Sequence, residues 1–436
     1  MGITEKVRDA GVVGAGGAGF PTHVKLNAKA DIVLANGAEC EPLLRVDQQV
    51  MDRFAPEVVA GMRLAMKAVG AKRGVIALKD HYKAAIAALN AAIGSDADVT
   101  LHIMHSYYPA GDEQQIVYDV TGKVVPTGGI PLDVGAVVCN VSTLVDIANA
   151  DKGTPVTEKY VTVGGAVRNP CTMNVPVGIN AAELVAAAGG TTCDDCSYVI
   201  GGPCMGYVTD SLDFPIEKTT GGILAIPKGH FLLRQKDPCQ SLQIIQAACC
   251  QCSLCTQMCP RNALGLNVAP HKAMRAVGQG VDLLENANGI FSCCDCGICT
   301  YQACNFGLKP HVVMKQMKQG LMAAGIKPRK EVYGPADIAI DMKRLPTSRL
   351  IGRLGISEYD VPAPMNCNLM DVESVKIPLK MHVGAPSTPV VKAGQKVKKG
   401  DLIAEIKEGA LGARIHASIS GTVTAVNDQT IEIKVS

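Results

Sequence analysis

Within residues 28–150, unbroken apolar runs of strand length alternate with stretches whose apolar positions recur at helical spacing. Asp31-Ile32-Val33-Leu34-Ala35 and Gly74-Val75-Ile76-Ala77-Leu78 read as buried strands, and residues 99–104 as a third. Residues 57–69 repeat apolar side chains every three or four positions, and residues 83–92 form an Ala-rich helix. This βαβα rhythm predicts an α/β layer. The Gly-Thr-Pro-Val-Thr stretch at 153–157 breaks the pattern and reads as a linker. From Tyr160 to about Gly229 short strands, Gly turns and one Ala-rich helix near 181–188 predict a small α+β module. Apolar helical stretches at 241–248 and 312–324 bracket a middle segment. Beyond Pro328 the chain is interrupted by Pro and hard to read, and residues 376–436 alternate short strands with Gly turns, an all-β module. The expected organisation is therefore multidomain α/β and α+β, with units at 1–152, 153–235 and 236–330, a connector at 331–375 and a last unit at 376–436.

Composition narrows the class. The chain has 436 residues, too many for one ordinary hydrophobic core. Apolar residues make up 47% and charged residues 19%, ordinary for a globular protein. The formal net charge is +2 with no long basic block, so neither nucleic acid nor an anionic membrane is an expected partner. No apolar run approaches the length of a membrane span. The polar start Met1-Gly2-Ile3-Thr4-Glu5-Lys6 lacks a signal-peptide core, and Lys6 stands where a myristoylation signal wants Ser or Thr. A cytoplasmic location is the expectation.

Cysteine changes the picture most. There are 18, and without an export signal they argue for metal ligation over a disulfide framework. Ten fall in two clumps, at 249–259 and 293–304. The first contains Cys249, Cys252, Cys255 and Cys259 followed by Pro260, the C-x2-C-x2-C-x3-C-P run of bacterial ferredoxins. The second contains Cys293, Cys296, Cys299 and Cys304, with the last gap one residue longer and Asn305 in place of Pro. Three thiolates two residues apart wrap one face of a cubane from a short turn. In two-cluster proteins the fourth Cys of each run ligates the other cluster. The expected sets are Cys249, Cys252, Cys255 and Cys304 for one [4Fe–4S] cluster, and Cys293, Cys296, Cys299 and Cys259 for the other. Four-ligand zinc sites rarely use such a double run. Cys250 and Cys294 read as spare thiols. Cys193-Asp194-Asp195-Cys196 is a lone pair in a turn, read as two thiols because one pair cannot complete a tetrahedral site.

Gly14-Ala15-Gly16-Gly17-Ala18-Gly19 matches G-x-G-x-x-G, but a dinucleotide fold needs a strand before it. Residues 5–10 look helical, and Phe20-Pro21 follows at once. Two readings stand side by side: a backbone cradle for a phosphate with Lys25 nearby, or a tight turn.

Residues 14–25 (GAGGAGFPTHVK) resemble the flavin-binding loop of the NADH-oxidising 51 kDa subunit of respiratory complex I. Asn36-Gly37-Ala38-Glu39-Cys40-Glu41-Pro42, Gly111-Asp112-Glu113-Gln114 and Cys139-Asn140-Val141-Ser142-Thr143 resemble that family's other flavin segments. The match to the RnfC protein of the Rnf electron-transfer complex is closer. It includes the turn Gly128-Gly129-Ile130-Pro131 and Gly201-Gly202-Pro203-Cys204-Met205-Gly206, beside the twin ferredoxin runs. In that Rnf protein, a barrel-sandwich module precedes the flavin domain, whereas here the comparable stretch, 376–433, comes last. That order resembles the cobalamin-reductase-type electron-transfer proteins of bacterial microcompartments.

The resemblance implies a 51 kDa-like flavin domain, a soluble-ligand-binding β-grasp module near 157–205, a helical two-cluster ferredoxin segment and a C-terminal barrel-sandwich hybrid. It implies FMN at Gly14, Gly16, Gly17, Lys25, Asn36, Glu39, Asp112, Glu113, Asn140 and Thr143, and a nicotinamide nucleotide near Phe20. Aromatic residues follow the Lys in complex I, but Leu26, Asn27 and Ala28 follow it here, so clamping of NADH is weakened. Residues 391–401 and 418–423 resemble the halves of a lipoyl domain. The attachment turn reads Gly409-Ala410-Leu411 with Lys407 displaced, so a docking or structural role is expected there. The implied function is an NADH-dependent oxidoreductase: NADH to FMN, through two [4Fe–4S] clusters, to a partner protein. That partner is a corrinoid adenosyltransferase or another microcompartment enzyme, with a shell protein as a further partner and no protein acid or base required. The alternatives are a relay between protein partners without NADH oxidation, and a carrier-domain protein.

Overall fold

Four strands, β1 (Ile32–Gly37), β2 (Arg73–Lys79), β3 (Val99–Met104) and β4 (Ala136–Asn140), lie parallel in the order β3-β2-β1-β4. This computed structural model describes residues 1–95, 97–239, 241–280 and 287–435. Both faces of the sheet are covered, which is why its strands read as unbroken apolar runs. Val33, Ala35, Ile76 and Val137 pack under the helices Ala55–Val69, Lys83–Ile93 and Val141–Asp151. Leu34, Val75, Ala77 and Val138 face the helix Glu113–Thr121. The helix Ala55–Val69 starts at a Pro in its first turn and stops at Gly70 in the left-handed conformation. The glycine loop lies between two helices, Ile3–Asp9 and Thr22–Leu26, closed at its base by a bridge between Val13 and Pro21.

The second module is a six-stranded mixed sheet with the helix Ala181–Ala187 packed against it. Its edge strand, Met365–Leu369, comes from the segment expected as a connector. The same segment sends Leu345–Pro346 to pair with Tyr107–Tyr108. Its helix Thr347–Leu354 buries Leu350, Ile351 and Leu354 against Tyr108, Cys296 and Tyr301. Strands of two and five residues between prolines leave no period to read, yet they lace three modules together. Residues 241–280 and 287–325 form short helices around the cysteines. The expectations at 241–248 and 312–324 correspond to Leu242–Ala248 and Pro310–Ala323.

The C-terminal module is two small antiparallel sheets over one core of Val375, Ile377, Ile403, Val423, Ile431 and Ile433. It backs the glycine loop: Val383 N donates to Gly19 O at 3.0 Å, and Arg414 pairs with Asp9. The buried Lys218 ammonium donates to Gly11 O and Arg414 O at 2.6 and 3.0 Å. Cys193 and Cys196, expected as two thiols, form a disulfide across their turn. Their three-residue separation brings the two side chains to the same side of that turn. No helix among the described residues is long and apolar enough to cross a membrane.

Candidate functional site

Open parallel sheets take ligands at the carboxyl ends of their strands. Here β1 ends at Asn36 and Gly37, β2 at Lys79 and β4 at Asn140. The glycine loop is folded against this edge. Ala15 N donates to Thr143 Oγ1 at 2.9 Å, and a Cβ on Gly16 would lie 3.3 Å from Asn140 Nδ2. Asn140 caps the following helix by accepting from Ser142 N at 2.8 Å, while its amide donates to Asp47 Oδ2 at 2.8 Å. Gly17 sits at φ +102 with open space where a side chain would be, so the loop leaves a cradle at this edge. Gly111 gathers two more predicted segments. A Cβ there would lie 2.9 Å from Cys40 Sγ and 3.1 Å from Asn36 Oδ1, and Asn36 Nδ2 donates to Gly111 O at 2.8 Å. Lys25 Nζ donates to Val138 O at 2.7 Å, and Phe20 is half-buried at the end of the loop.

Charge is concentrated under the cradle. Glu39 accepts from Asp47 N at 3.3 Å, and burial, then the Asp47 charge, pushes its carboxyl up. Burial raises Asp47 as well. Lys79 Nζ donates to Glu39 O at 2.7 Å and Lys159 Nζ to Ala15 O at 3.0 Å; burial lowers both ammonium groups. An FMN brings a dianionic phosphate and a polar ring edge. A glycine cradle, a helix N-terminus at Asn140 and buried ammonium groups are the donors such a group needs, so the residues fit it.

Two predicted residues are engaged elsewhere. Both oxygens of Asp112 are held by Arg261, each at 2.5 Å, in a buried ion pair between the flavin module and the cysteine segment. Glu113 is exposed and lines a cavity of about 600 Å³ with Gly128, Ser292, Cys293 and Lys318. Sequence reading missed Lys79, Asp47 and Lys159. The end of the second strand pointed to Lys79, whereas Asp47 and Lys159 carry no local signal.

The two cysteine runs fold into the same loop twice. In the first, Gln251 (φ 56) and Ser253 (φ 60) flank Cys252 in the left-handed conformation. In the second, Asp295 (φ 57) and Gly297 (φ 75) flank Cys296 in the same way. Non-Gly residues there cost about 1–2 kcal/mol each, so the repeated twist points to a shared task of aiming thiols. Burial, then the charges of Cys304, Cys252 and Cys249, push the Cys255 thiol up to about 12. Burial, then the charges of Cys293, Cys259 and Cys255, raise the Cys299 thiol. Cys304 thus neighbours the first run and Cys259 the second. Thiols held protonated by burial and by one another ionise when a shared cation compensates them. No three His, Cys, Asp or Glu side chains among the described residues converge on one metal ion. A cubane spreads its ligands over four irons, and two runs of thiols at this sequence spacing are the donor set it needs.

The repeat extends beyond the thiols. Thr256 Oγ1 meets His271 Nδ1 at 2.7 Å, and Thr300 Oγ1 meets His311 Nδ1 at 2.7 Å. In each run the Thr follows the third Cys, and the His follows the Pro that opens a helix. This Cys-Thr and Pro-His recurrence is a signal that the sequence carries and that the cysteine spacing alone passes over. Of the two spare thiols, Cys250 is exposed and Cys294 is half-buried.

Comparison with known proteins agrees with this architecture. The family described as the Nuo51 FMN-binding domain matches residues 7–149. A 4Fe-4S dicluster domain matches 248–320, and the RnfC barrel sandwich hybrid domain matches 367–435. Cobalamin reductase PduS of Salmonella typhimurium is 43% identical over 438 residues, spanning 99% of this chain and 96% of that protein. The PduS of Citrobacter freundii is 41% identical over 435 residues, again 99% and 96%. The C component of the Na(+)-translocating ferredoxin:NAD(+) oxidoreductase complex of Acetobacterium woodii is 38% identical over 276 residues, 62% of this chain and 60% of that one. With a flavin edge, a dicluster segment and a terminal barrel-sandwich along one chain, and that identity from end to end, this iron–sulfur flavoprotein belongs to the cobalamin reductase PduS family.

Proposed function

We propose that the chain oxidises NADH at FMN held by the glycine cradle and passes electrons through two [4Fe–4S] clusters to a corrinoid on a partner protein. FMN supplies the one chemical necessity, accepting a two-electron hydride and releasing single electrons. The carrying observation is the doubled loop, with left-handed residues around Cys252 and again around Cys296. It supports two clusters, ligated by Cys249, Cys252, Cys255 and Cys304 and by Cys293, Cys296, Cys299 and Cys259. Gly16, Gly17, Asn140 and Thr143 position the phosphate, and Asn36, Glu39 and Lys79 lie where the ring edge falls. Phe20 is half-exposed beside the loop, as a nucleotide contact requires. Cobalamin as acceptor follows the names of the full-length relatives. A partner adenosyltransferase would present the corrinoid, inside or at the shell of a microcompartment.

One observation favours a second reading, a relay between protein partners without NADH. Leu26 is 1% exposed, part of the core and turned away from any nucleotide. Anaerobic titration of the FMN-loaded protein with NADH separates the two. Bleaching of both flavin and cluster absorbance is the expected result. Bleaching by dithionite alone would leave the relay.

A further inference from the structure

The two quartets differ in what they touch. Cys259, Cys296 and Cys299 are 8%, 7% and 7% exposed and Cys293 is half-buried, whereas Cys252 is exposed and Cys249, Cys255 and Cys304 are half-buried. Among the described residues, hydrogen bonds from the flavin module reach a ligand residue of one of them. Tyr108, 1% exposed, donates from its hydroxyl to Cys296 O at 2.7 Å. Three residues on, Gly111 N donates to Cys40 Sγ at 2.8 Å, and Gly111 O accepts from Asn36. A single tyrosine thus runs from the segment beside the proposed ring edge to a ligand residue of the second run. Neighbouring links converge on the same quartet. Arg261, two residues after Cys259, pairs with Asp112, and Gln115 Nε2 donates to Pro260 O at 3.0 Å. Ser292 Oγ, beside Cys293, accepts from Gly128 N at 2.9 Å. Among the described residues, no hydrogen bond joins the flavin module to residues 249–255.

We propose that Cys259, Cys293, Cys296 and Cys299 hold the inner cluster and Cys249, Cys252, Cys255 and Cys304 the outer one, with Tyr108 the positioning residue that couples the flavin to the inner cluster. This rests on the two-cluster reading above. One hydride entering at the flavin leaves as two electrons and one net proton, the proton going to water. Cys259, Cys293, Cys296 and Cys299 would hold the cluster that receives each electron from the flavin, and Cys249, Cys252, Cys255 and Cys304 the one that receives it next, so two electrons would leave each of the two clusters reduced by one.

The test uses full-length protein carrying FMN and iron–sulfur clusters. The flavin is reduced by light and EDTA, so that NADH use plays no part, and the clusters are read by electron paramagnetic resonance of rapidly frozen samples. Cys299→Ser and Cys255→Ser alter the third cysteine of each run. In Cys299→Ser the remaining cluster should be reducible by dithionite but no longer from the flavin. In Cys255→Ser the remaining cluster should still be reduced from the flavin. The reverse pattern, or equal behaviour, overturns the order. Tyr108→Phe keeps the ring and removes the hydroxyl, so it serves even where a cysteine variant fails to fold. It should retain FMN and both clusters and slow flavin-to-cluster transfer roughly tenfold, the range for losing an outer partner of a metal ligand. Dithionite reduction should be unchanged. An unaltered rate from the flavin overturns the role of Tyr108. Wild-type protein showing fewer than two reduced clusters under dithionite would overturn the two-cluster reading together with the order built on it.

Discussion

The first and second cysteine runs share a loop, a Thr–His pair and a helix opened by Pro, yet they live in different surroundings. The first carries Ser253 in the left-handed conformation where the second carries Gly297. The first lies toward the surface with Cys250 and Cys252 exposed, and the second is packed against Tyr108, Tyr301 and Leu350. Their cysteine chemistry is the same, and the difference lies in anchoring. The inner loop is built from residues that the flavin module and the 345–354 segment hold in place, while the outer loop is held by the cysteine segment itself, through Thr256 to His271 and the apolar cluster around Ile245 and Ala273. In a two-cluster relay this asymmetry gives a direction, because a buried site tied to one donor and a surface site open to partners do different jobs.

The largest effect expected from breaking the comparison is at Arg261. Arg261→Met leaves the Asp112 carboxylate buried without its partner, which should cost about 3–5 kcal/mol of stability in chemical denaturation. Within the inner loop itself, the contact of Asp295 with Lys318, at 3.8 Å and partly exposed, should cost less than about 1 kcal/mol in Lys318→Met. A double variant, Asp112→Asn with Arg261→Met, should recover part of the loss. Equal costs for the two single variants would remove the special weight of the Arg261–Asp112 link between the flavin module and the inner quartet.

The next effect has opposite signs in the two loops. A Cβ on Gly297 would lie 2.2 Å from the Tyr301 ring, so Gly297→Ser should destabilise by about 2 kcal/mol or more through overpacking. At the equivalent position, Ser253→Gly removes the left-handed penalty and should stabilise by about 1 kcal/mol. Thermal unfolding under anaerobic conditions reads both. The same sign at both sites would mean that the two loops are not equivalent.

Legibility followed how local each signal is. The parallel strands, the helix Ala55–Val69 and both ferredoxin runs announce themselves by period or spacing within a dozen residues. The disulfide between Cys193 and Cys196 depends on turn geometry that a two-residue gap does not reveal. Met365–Leu369 and Leu345–Pro346 were invisible because a short strand takes its meaning from its partners, Cys171–Pro176 and Tyr107–Tyr108, which lie far away in sequence. The motif resemblance pointed to Asn36, Asn140 and the glycines, and the fold gathers these residues at the carboxyl edge of the sheet. Asp47 and Lys159 are single charges whose burial arises only from packing. Asp112 has a partner, Arg261, that its motif position does not announce, because that partner lies far away in sequence.

The smallest expected effect distinguishes the two Thr–His pairs by acid. Burial first, then Lys236, Lys315 and Lys309, hold His311 down to about 3 from its ordinary value of 6.5. His271 is also lowered, by burial and then Lys272. Because His311 is neutral in the folded protein, the unfolded chain binds the extra proton. The associated stability is therefore full above about pH 6.5 and is lost as pH falls toward 3. Between about pH 6.5 and 5.5 the loss should be about 1 kcal/mol, and it should disappear in His311→Asn, where Asn has no proton to gain. His271, half-exposed beside the outer loop, should contribute a smaller slope in His271→Asn. Denaturation midpoints at the two pH values test this. Equal slopes for the two variants would show that the inner pair is no more shielded than the outer, which would remove the buried anchoring on which the contrast between the runs depends.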